Sequence, residues 1–442
     1  MVEAARHARL ARTRSYAGGV DPDVTDTAGT PPDRPDDDAP SAAGGGAPEP
    51  GTGASAIGAG LIRRRRRRWA RYGTAGLAAA VVGAVAAGWF VYAKLDGNIT
   101  PDEAAAAELA RWERERPTAL VRGAQNILLI GSDSRAGKDN GRYGRDPGTE
   151  RSDTTILLHL SAGRDSATAV SVPRDLMVDV PSCRRPDGSR TQPMFAMFNY
   201  AFEQGGSACT VRTVEKLTDI RVDHHLVVDF SGFKSLVDAL GGVQMCLTEP
   251  IQDKAAKLRL PAGRVTLDGE QALGYVRARK SLGDGSDTDR MDRQQQFLAA
   301  LVKKVRSSDV LLNPVKLYPV LDAATSALTT DPALASLRGL YNLVRGVRDI
   351  PTERVQFLTV PRESYVGNPN RDQLVETAAK RLFDRLRSDE PVEVTRNFAR
   401  DYGENAYEDT DTESSGYSLY VDSGASPAPT FSGKTAAEDT CR

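Results

Sequence analysis

Apolar positions fall into three regimes along the chain. Residues 72–93, YGTAGLAAAVVGAVAAGWFVYA, are 22 consecutive positions without a charge. From Asn126 to about Ser307 the apolar pattern is dense and alternates between short continuous runs and helical spacing. Residues before 60 and after 401 are poor in apolar positions and rich in Gly, Pro, Ser, Thr or acidic groups. Segments of that kind cannot bury enough apolar surface to offset the entropy of ordering.

At about 1.5 Å per residue the uncharged run extends roughly 33 Å, the thickness of a bilayer core. Trp69, Trp89 and Tyr92 stand at its ends, where aromatic rings favour the interface. A cleaved signal peptide is the other reading, but the run is too long and too far from the N-terminus for one. Arg63 to Arg68 precede the run without interruption, and Lys94-Leu95-Asp96 follows it. By the positive-inside rule, residues 1–70 are expected in the cytoplasm and 95–442 outside, with the protein in the cell membrane as a single-pass chain. The arginine run also fits a nucleic-acid patch, but its place at the foot of an apolar span favours the topological role, and no nucleic-acid partner is expected.

The pattern predicts these units: a disordered arm over 1–70, a transmembrane helix over 71–94, a polar, helical stalk over 95–122, a main domain over 123–310, an extension over 311–390 that packs on or completes it, and a disordered acidic tail over 391–442. Runs such as ILLI and TTILLHL place strands buried on both faces at 126–130, 154–160 and 167–172, the last two joined by a hairpin linker at 161–165. Helices are expected at 211–218 and 231–240, a strand at 226–229, and a long helix at 287–305. Asp268 with Gln271 reads as a capping box opening a short helix through Leu273. The fold class is α/β, a mixed central sheet sandwiched by helices.

Charge adds little for the whole chain, since 58 basic and 59 acidic residues nearly cancel. Four cysteines (183, 209, 246, 441) lie on the predicted outer side, where disulfides form. No C-x-x-C and no Cys/His spacing points to zinc, and no G-x-S-x-G elbow, Walker loop or helix-turn-helix is present. Cys183 and Cys209 border a loop rich in Arg, Pro, Ser and Gly. A bridge between them would close about 25 residues and stabilise by roughly 3 kcal/mol in the chain-entropy model; the alternative leaves all four thiols free. Cys246, within VQMCL, reads as a buried free thiol, and Cys441 as unpaired.

Polar residues sit at one end of each of the first three strands. If neighbouring strands run antiparallel, Asp133, Arg151, Asp153 and Arg174 converge on one sheet edge. Two carboxylates with arginines make a magnesium–phosphate site, because magnesium takes few carboxylates and the guanidinium fork matches phosphate oxygens. Ordinary turns with surface salt bridges explain the same residues. Downstream, Arg277 and Arg279 point to one side of an extended segment, and Arg290, Arg293 and Gln294 share a helix face. A solvated charged face is the competing account.

NILLIGSDSR, RSDTTILLHL, SVPRDLMVDVP, FNYAFEQGG, LDGEQALGYVRARK and DRMDRQQQFL, in that order, resemble the LytR-CpsA-Psr family over roughly residues 124–306. The resemblance implies a polyprenyl chain held in an apolar pocket with its pyrophosphate at the mouth. It implies Asp133 and Asp153 as ligands of magnesium, or of manganese in its place. It implies Arg151, Arg174, Arg277, Arg279, Arg290 and Gln294 as the pyrophosphate set, with Asp133, Asp153, Arg151 and Arg174 at the catalytic centre. Arg293 is the weaker candidate, and Asn199 has a structural role. Many members carry a basic residue two positions before that asparagine, where this chain has Met197. The implied reaction is a phosphotransfer that moves a glycopolymer from a polyprenyl-pyrophosphate carrier to a peptidoglycan hydroxyl. Asp175 is a candidate base by adjacency alone, with pairing to Arg174 as its other role. The alternatives are a polyprenyl-pyrophosphate hydrolase or lipid-binding wall protein and, last, a membrane-bound transcriptional attenuator.

Overall fold

The computed structural model describes residues 56–133, 151–253, 256, 258–278, 287–306, 313–395 and 430–438. In chain order the elements are α1 (Ala56–Asn98), β1 (Thr100–Pro101), α2 (Glu103–Arg111), β2 (Gln125–Ser132), β3 (Ser152–Leu160), β4 (Ala167–Val172), β5 (Met177–Val180), β6 (Met194–Met197), α3 (Tyr200–Thr218), β7 (His224–Val228), α4 (Phe230–Ala239), β8 (Val243–Leu247), β9 (Ile251–Asp253), β10 (Leu258–Leu260), β11 (Gly263–Leu267), α5 (Gly269–Arg277) and α6 (Asp287–Arg306). They continue with α7 (Pro314–Ala327), β12 (Leu328–Thr330), α8 (Leu337–Arg348), β13 (Val355–Thr359), β14 (Arg362–Tyr365), β15 (Asn368–Leu374), α9 (Glu376–Arg387), β16 (Glu393–Thr395) and β17 (Thr430–Thr435).

Within α1, Trp69–Asn98 is long and apolar enough to cross a membrane, and none of its most apolar window is buried against protein. The central sheet is mixed, in the order β1-β12-β7-β2-β3-β4-β13-β17-β16. β2, β3 and β4 pair antiparallel, while β7 and β13 flank this trio in parallel. All six residues of β4 are buried, as expected for a strand covered on both faces. On one face Leu128, Leu157 and Val170 pack with α3 and α9 through Val214, Leu382 and Phe383. On the other, Ile127, Ile156 and Phe357 meet α6 and α8 through Ala299 and Leu343. A third cluster, with Val237, Leu267, Tyr275 and Phe297, unites α4, α5, α6 and the β8–β11 hairpin.

Four expectations are corrected. The stalk belongs to the folded domain. β1 pairs with β12, and α2 buries Ala105 and Leu109, an i, i+4 pair on one helix face. Trp112 lies 3.9 Å below the Arg212 guanidinium, and Arg116 reaches buried Glu215 at 2.7 Å. The tail is not wholly without structure, because β16 and β17 pair in parallel and β17 adds to the edge of β13, burying Phe431. The short helix α5 continues past Leu273 to Arg277, so Arg277 is helical and not extended. Cys246 is disulfide-bonded and not a free thiol; its bonding partner and Cys441 lie outside the described residues.

Cys183 and Cys209 are joined by a disulfide with Cα atoms 5.5 Å apart. The Gly205-Gly206 pair forms a kink inside α3. A Cβ on Gly205 would lie 2.9 Å from Cβ of Cys209 and 3.0 Å from Cβ of Cys183, so the bridge needs a glycine there. Gly232 has a similar role where α4 crosses α7, since its Cβ would lie 2.6 Å from that of Ala327.

The C-terminal end of α1 is fastened to the domain. Lys94 Nζ donates to Tyr318 Oη at 3.0 Å and pairs with Asp322 at 3.0 Å. Asn98 Nδ2 donates to Asp322 at 2.9 Å, and Asp96 accepts the Leu337 N–H opening α8 at 2.8 Å. Asp102 caps α2 by accepting from Ala105 N at 3.0 Å and meets Ser207 Oγ and His225 Nε2.

Burial opposes ionisation of Asp102, but hydrogen bonds from His225, Ser207 and Ala105 outweigh it and hold the carboxyl at about 2, below its ordinary 3.8. A depressed carboxyl pKa stabilises the fold above the unfolded value, and that stability is lost as pH falls from 3.8 towards about 2. Thermal unfolding of the full chain in detergent should show this acid loss. Asp102→Asn should flatten this contribution and, at neutral pH, cost about 1 kcal/mol, the scale of a weakened cap. Replacing Cys183 and Cys209 together by Ala should lower stability by about 3 kcal/mol in the chain-entropy model, read from the urea midpoint.

Candidate active site

A cavity of about 700 Å³ separates the sheet from α4, α5 and α6. Its deep wall is apolar. The sheet supplies Leu129, Ile156 and Leu226, and the helices supply Phe233, Leu273, Phe297 and Leu301. Along α6 the lining residues Arg290, Gln294, Phe297, Leu298 and Leu301 keep helical spacing, so one face of that helix runs from polar to apolar. The polar end gathers Asp153, Arg174, Arg277, Arg290 and Gln294.

Antiparallel pairing places these groups. Gly131 faces Thr154 and Ser132 faces Ser152, so Asp153 is the extra residue of a bulge at the end of the β2–β3 ladder. A bulge bends the strand and re-aims a side chain. Thr155 faces Val172, bringing the turn after β4 to the same corner. Arg174 Nη1 donates there to Asp153 Oδ1 at 3.0 Å. Arg174 Nε donates to Asp175 Oδ2 at 3.3 Å, and Arg371 Nη1 donates to Asp175 Oδ1 at 3.2 Å. With both oxygens held by guanidinium groups, Asp175 is a brace for Arg174, the second of its two expected roles. The Asn199 N–H donates to the Arg174 carbonyl at 3.0 Å, fixing the arginine's backbone from the start of α3.

Asp133 and Arg151 lie beside this cluster, outside the cavity lining. Asp133 Oδ1 accepts the Arg151 N–H at 2.6 Å, and Arg151 Nε donates to Glu203 Oε2 at 2.9 Å. Two carboxylates flanked by arginines fit a hard cation that takes few protein oxygens. Among the described residues no group of three or more carboxylate, histidine or cysteine side chains could hold a metal ion; an ion at this pair would complete its shell with water or ligand oxygens.

The second cluster comes from α5 and α6. The capping box at Asp268 and Gln271 starts α5, and the Tyr275 hydroxyl ties it to α6 by donating to Gln296 Oε1 at 3.1 Å. Burial pushes the Tyr275 phenol well up, which keeps it a neutral donor. Arg277 lies 4.5 Å from the centre of the Phe230 ring, a cation–π contact that presents the guanidinium at the cavity. Gln294 Nε2 donates to the Val276 carbonyl at 3.3 Å. Arg293 faces away from this role. It is buried, donates to the Ala278 carbonyl and has its pKa lowered by burial, so it clamps the two helices. Arg279 lies outside the described residues. Met197 pairs with Met177 at the end of the β5–β6 hairpin and brings no charge to the site.

Sequence reasoning missed Phe230, Glu203 and Arg371, which act through partners distant along the chain. It also missed the cavity-lining carboxylates Asp253 and Glu270. The Phe297, Leu298 and Leu301 stripe was the one available signal, since it extends the Arg290–Gln294 face.

Residues 96–388 match the model of the LytR-CpsA-Psr family. Cell wall biosynthesis protein LcpA of Corynebacterium glutamicum is 34% identical over 284 residues, 58% of this chain and 53% of that protein. The chain thus spans about half the length of LcpA, and likewise 47% of LcpB from the same organism. Polyisoprenyl-teichoic acid–peptidoglycan teichoic acid transferase TagT of Bacillus subtilis is 27% identical over 299 residues, 65% of this chain and 85% of TagT. Protein gbs0355 of Streptococcus agalactiae has the same fold, with a TM-score of 0.50 at 21% identity over 60% of this chain and 87% of that one. With a cavity whose polar end is built from that family's motifs, and a family match over about two thirds of its length, the chain belongs to the LytR-CpsA-Psr family.

Proposed function

We propose that the chain is a membrane-anchored phosphotransferase that moves a glycopolymer from a polyprenyl-pyrophosphate carrier to peptidoglycan. The observation that carries this is one cavity with an apolar interior and a polar end holding Arg174, Arg277, Arg290 and Gln294. A ligand that joins a hydrocarbon chain to a polyanion satisfies both parts, since guanidinium groups bind phosphate oxygens. The names of LcpA and TagT support the wall context. Arg63 to Arg68 support an orientation with the N-terminus in the cytoplasm and the catalytic domain outside.

In this reading the prenyl chain lies along Phe233, Phe297 and Leu301, and the pyrophosphate meets the arginines. The acceptor hydroxyl oxygen bonds to the sugar-linked phosphorus as the bridging P–O bond breaks, and the lipid monophosphate leaves carrying the hydroxyl proton. Arg174, held by Asp153 and Asp175, and Arg277, backed by Phe230, neutralise charge on the bridging and equatorial oxygens. Asp133 and Asp153 would hold a magnesium ion, or manganese, which supplies further charge neutralisation at the phosphates.

The full chain in detergent, supplied with lipid-linked glycan, should transfer it only when peptidoglycan is present; release of glycan without acceptor would identify a hydrolase. Asp133→Ala and Asp153→Ala should each remove most magnesium-dependent transfer while the thermal melt stays cooperative. Full activity in both variants would sink the metal assignment. Arg277→Ala should weaken binding of a polyprenyl pyrophosphate by roughly 1.5–3 kcal/mol, the scale of a charged hydrogen bond. Arg277→Lys should restore only part of this, because an ammonium lacks the planar fork. Unchanged lipid affinity in Arg277→Ala would place that arginine on a solvated face.

A further inference from the structure

Two hairpins rise from the sheet edge that carries Asp153. β5–β6 begins at Met177, just past the Arg174-Asp175 turn, and β14–β15 begins at Arg362, just past the end of β13. Because β13 runs parallel to β4, both hairpins leave the sheet at the same edge. They are fastened to the polar cluster. Arg371 Nη1 donates to Asp175 at 3.2 Å, the Asp372 N–H donates to the Asp175 carbonyl at 3.2 Å, and Arg362 pairs with Asp372 within β14–β15. An ion-pair chain, Asp153–Arg174–Asp175–Arg371, therefore runs from the cavity to the second hairpin.

At the outer part of these hairpins the rings of Phe195 and Tyr365 meet, with centroids 6.0 Å apart and planes tilted by 56°. Phe195 is 55% exposed, and Val366, next to Tyr365, is 88% exposed. Outside α1, Phe195 is the one exposed phenylalanine among the described residues. The other phenylalanines of the domain fill its core or line the cavity, so packing does not explain this ring. The β14–β15 hairpin that carries Tyr365 also bears polar groups, with Gln373 Nε2 donating to Glu363 Oε1 at 2.7 Å and Asn370 exposed.

We propose that Phe195 and Tyr365 form the platform on which the sugar rings of the acceptor glycan strand stack. This rests on the transferase reading. The lipid carrier fills the cavity, so the acceptor must approach the phosphates from the solvent side, where the hairpins stand. Sugar rings present apolar C–H faces that pack on aromatic faces, and their hydroxyl edges suit the carboxylate and amides of the β14–β15 hairpin. By the path through β6 and β5, the platform lies on the order of 20 Å from Arg174, counting about 3.3 Å per strand residue. A strand of a few sugar rings spans that distance, with one ring at the phosphate and its neighbours on the aromatics. The platform thus selects for polymeric acceptors over single sugars.

The test uses the full chain in nanodiscs and soluble, uncrosslinked glycan strands released from peptidoglycan, with binding read by calorimetry. Phe195→Ala and Tyr365→Ala should each weaken strand binding about five- to tenfold, the scale of one aromatic contact, and leave polyprenyl-pyrophosphate binding at the wild-type level. Phe195→Trp should retain strand binding. Wild-type strand binding in the double alanine variant, or no strand binding by Phe195→Trp, would overturn the proposal. The two readings fail separately. A chain that binds strands through these rings but transfers nothing would sink the transferase reading and leave the platform standing. Normal transfer without either ring would do the reverse.

Discussion

The antiparallel ladder of β2, β3 and β4 decides which residues meet at the polar end of the cavity. Side chains alternate between faces along a strand, so a slip of one residue would turn the whole polar set towards the opposite core. Ile127, Ile156 and Ala169 on one face and Leu128, Leu157 and Val170 on the other hold the register by burial on both sides. The single departure is the bulge at Asp153. It comes where the ladder ends, so the strand can bend there without exposing core residues. The carboxylate thereby reaches Arg174, which lies in the turn two residues past the end of β4.

Cations beside an apolar cavity are costly unless each has a local counter-charge or an aromatic face. This site uses both. Arg174 lies between Asp153 and Asp175, Arg151 meets Glu203, and Arg277 lies against Phe230. These contacts hold the guanidinium groups in place before any ligand arrives, so little side-chain entropy remains to be lost on binding. Two of these braces come from afar in sequence: Glu203 stands in α3, between the two arginine clusters, and Arg371, which holds Asp175, stands in β15, beyond them.

Much of this was legible in the sequence for a physical reason. Continuous apolar runs mark doubly covered strands, and the ILLI, TTILLHL and β4 segments form the centre of the sheet. The Asp268–Gln271 capping box is local chemistry and was readable as such. Local reasoning failed where partners are remote. Nothing in EAAAAELAR shows that α2 will pack on the domain, because Ala105 and Leu109 make only a narrow apolar stripe. The sheet edge recruits β17 through backbone hydrogen bonds, which any sequence can make, so the tail's composition did not reveal it. Cys246 was misread because a strand cysteine looks the same bonded or free. At the site, single motifs were visible, but Phe230, Arg371 and Glu203 depend on tertiary proximity.

The clasp between α1 and the domain also bears on how the helix end and the cavity are coupled. Asp96, Lys94 and Asn98 bind α7 and α8, and α7 lies close enough to α4 that only glycine fits at position 232. α4 is a wall of the cavity. The anchor and that wall are therefore separated by one helix and no slack chain. A leash would let the helix and the domain move independently. A clasp instead passes any tilt of the helix end directly to the helix that walls the cavity.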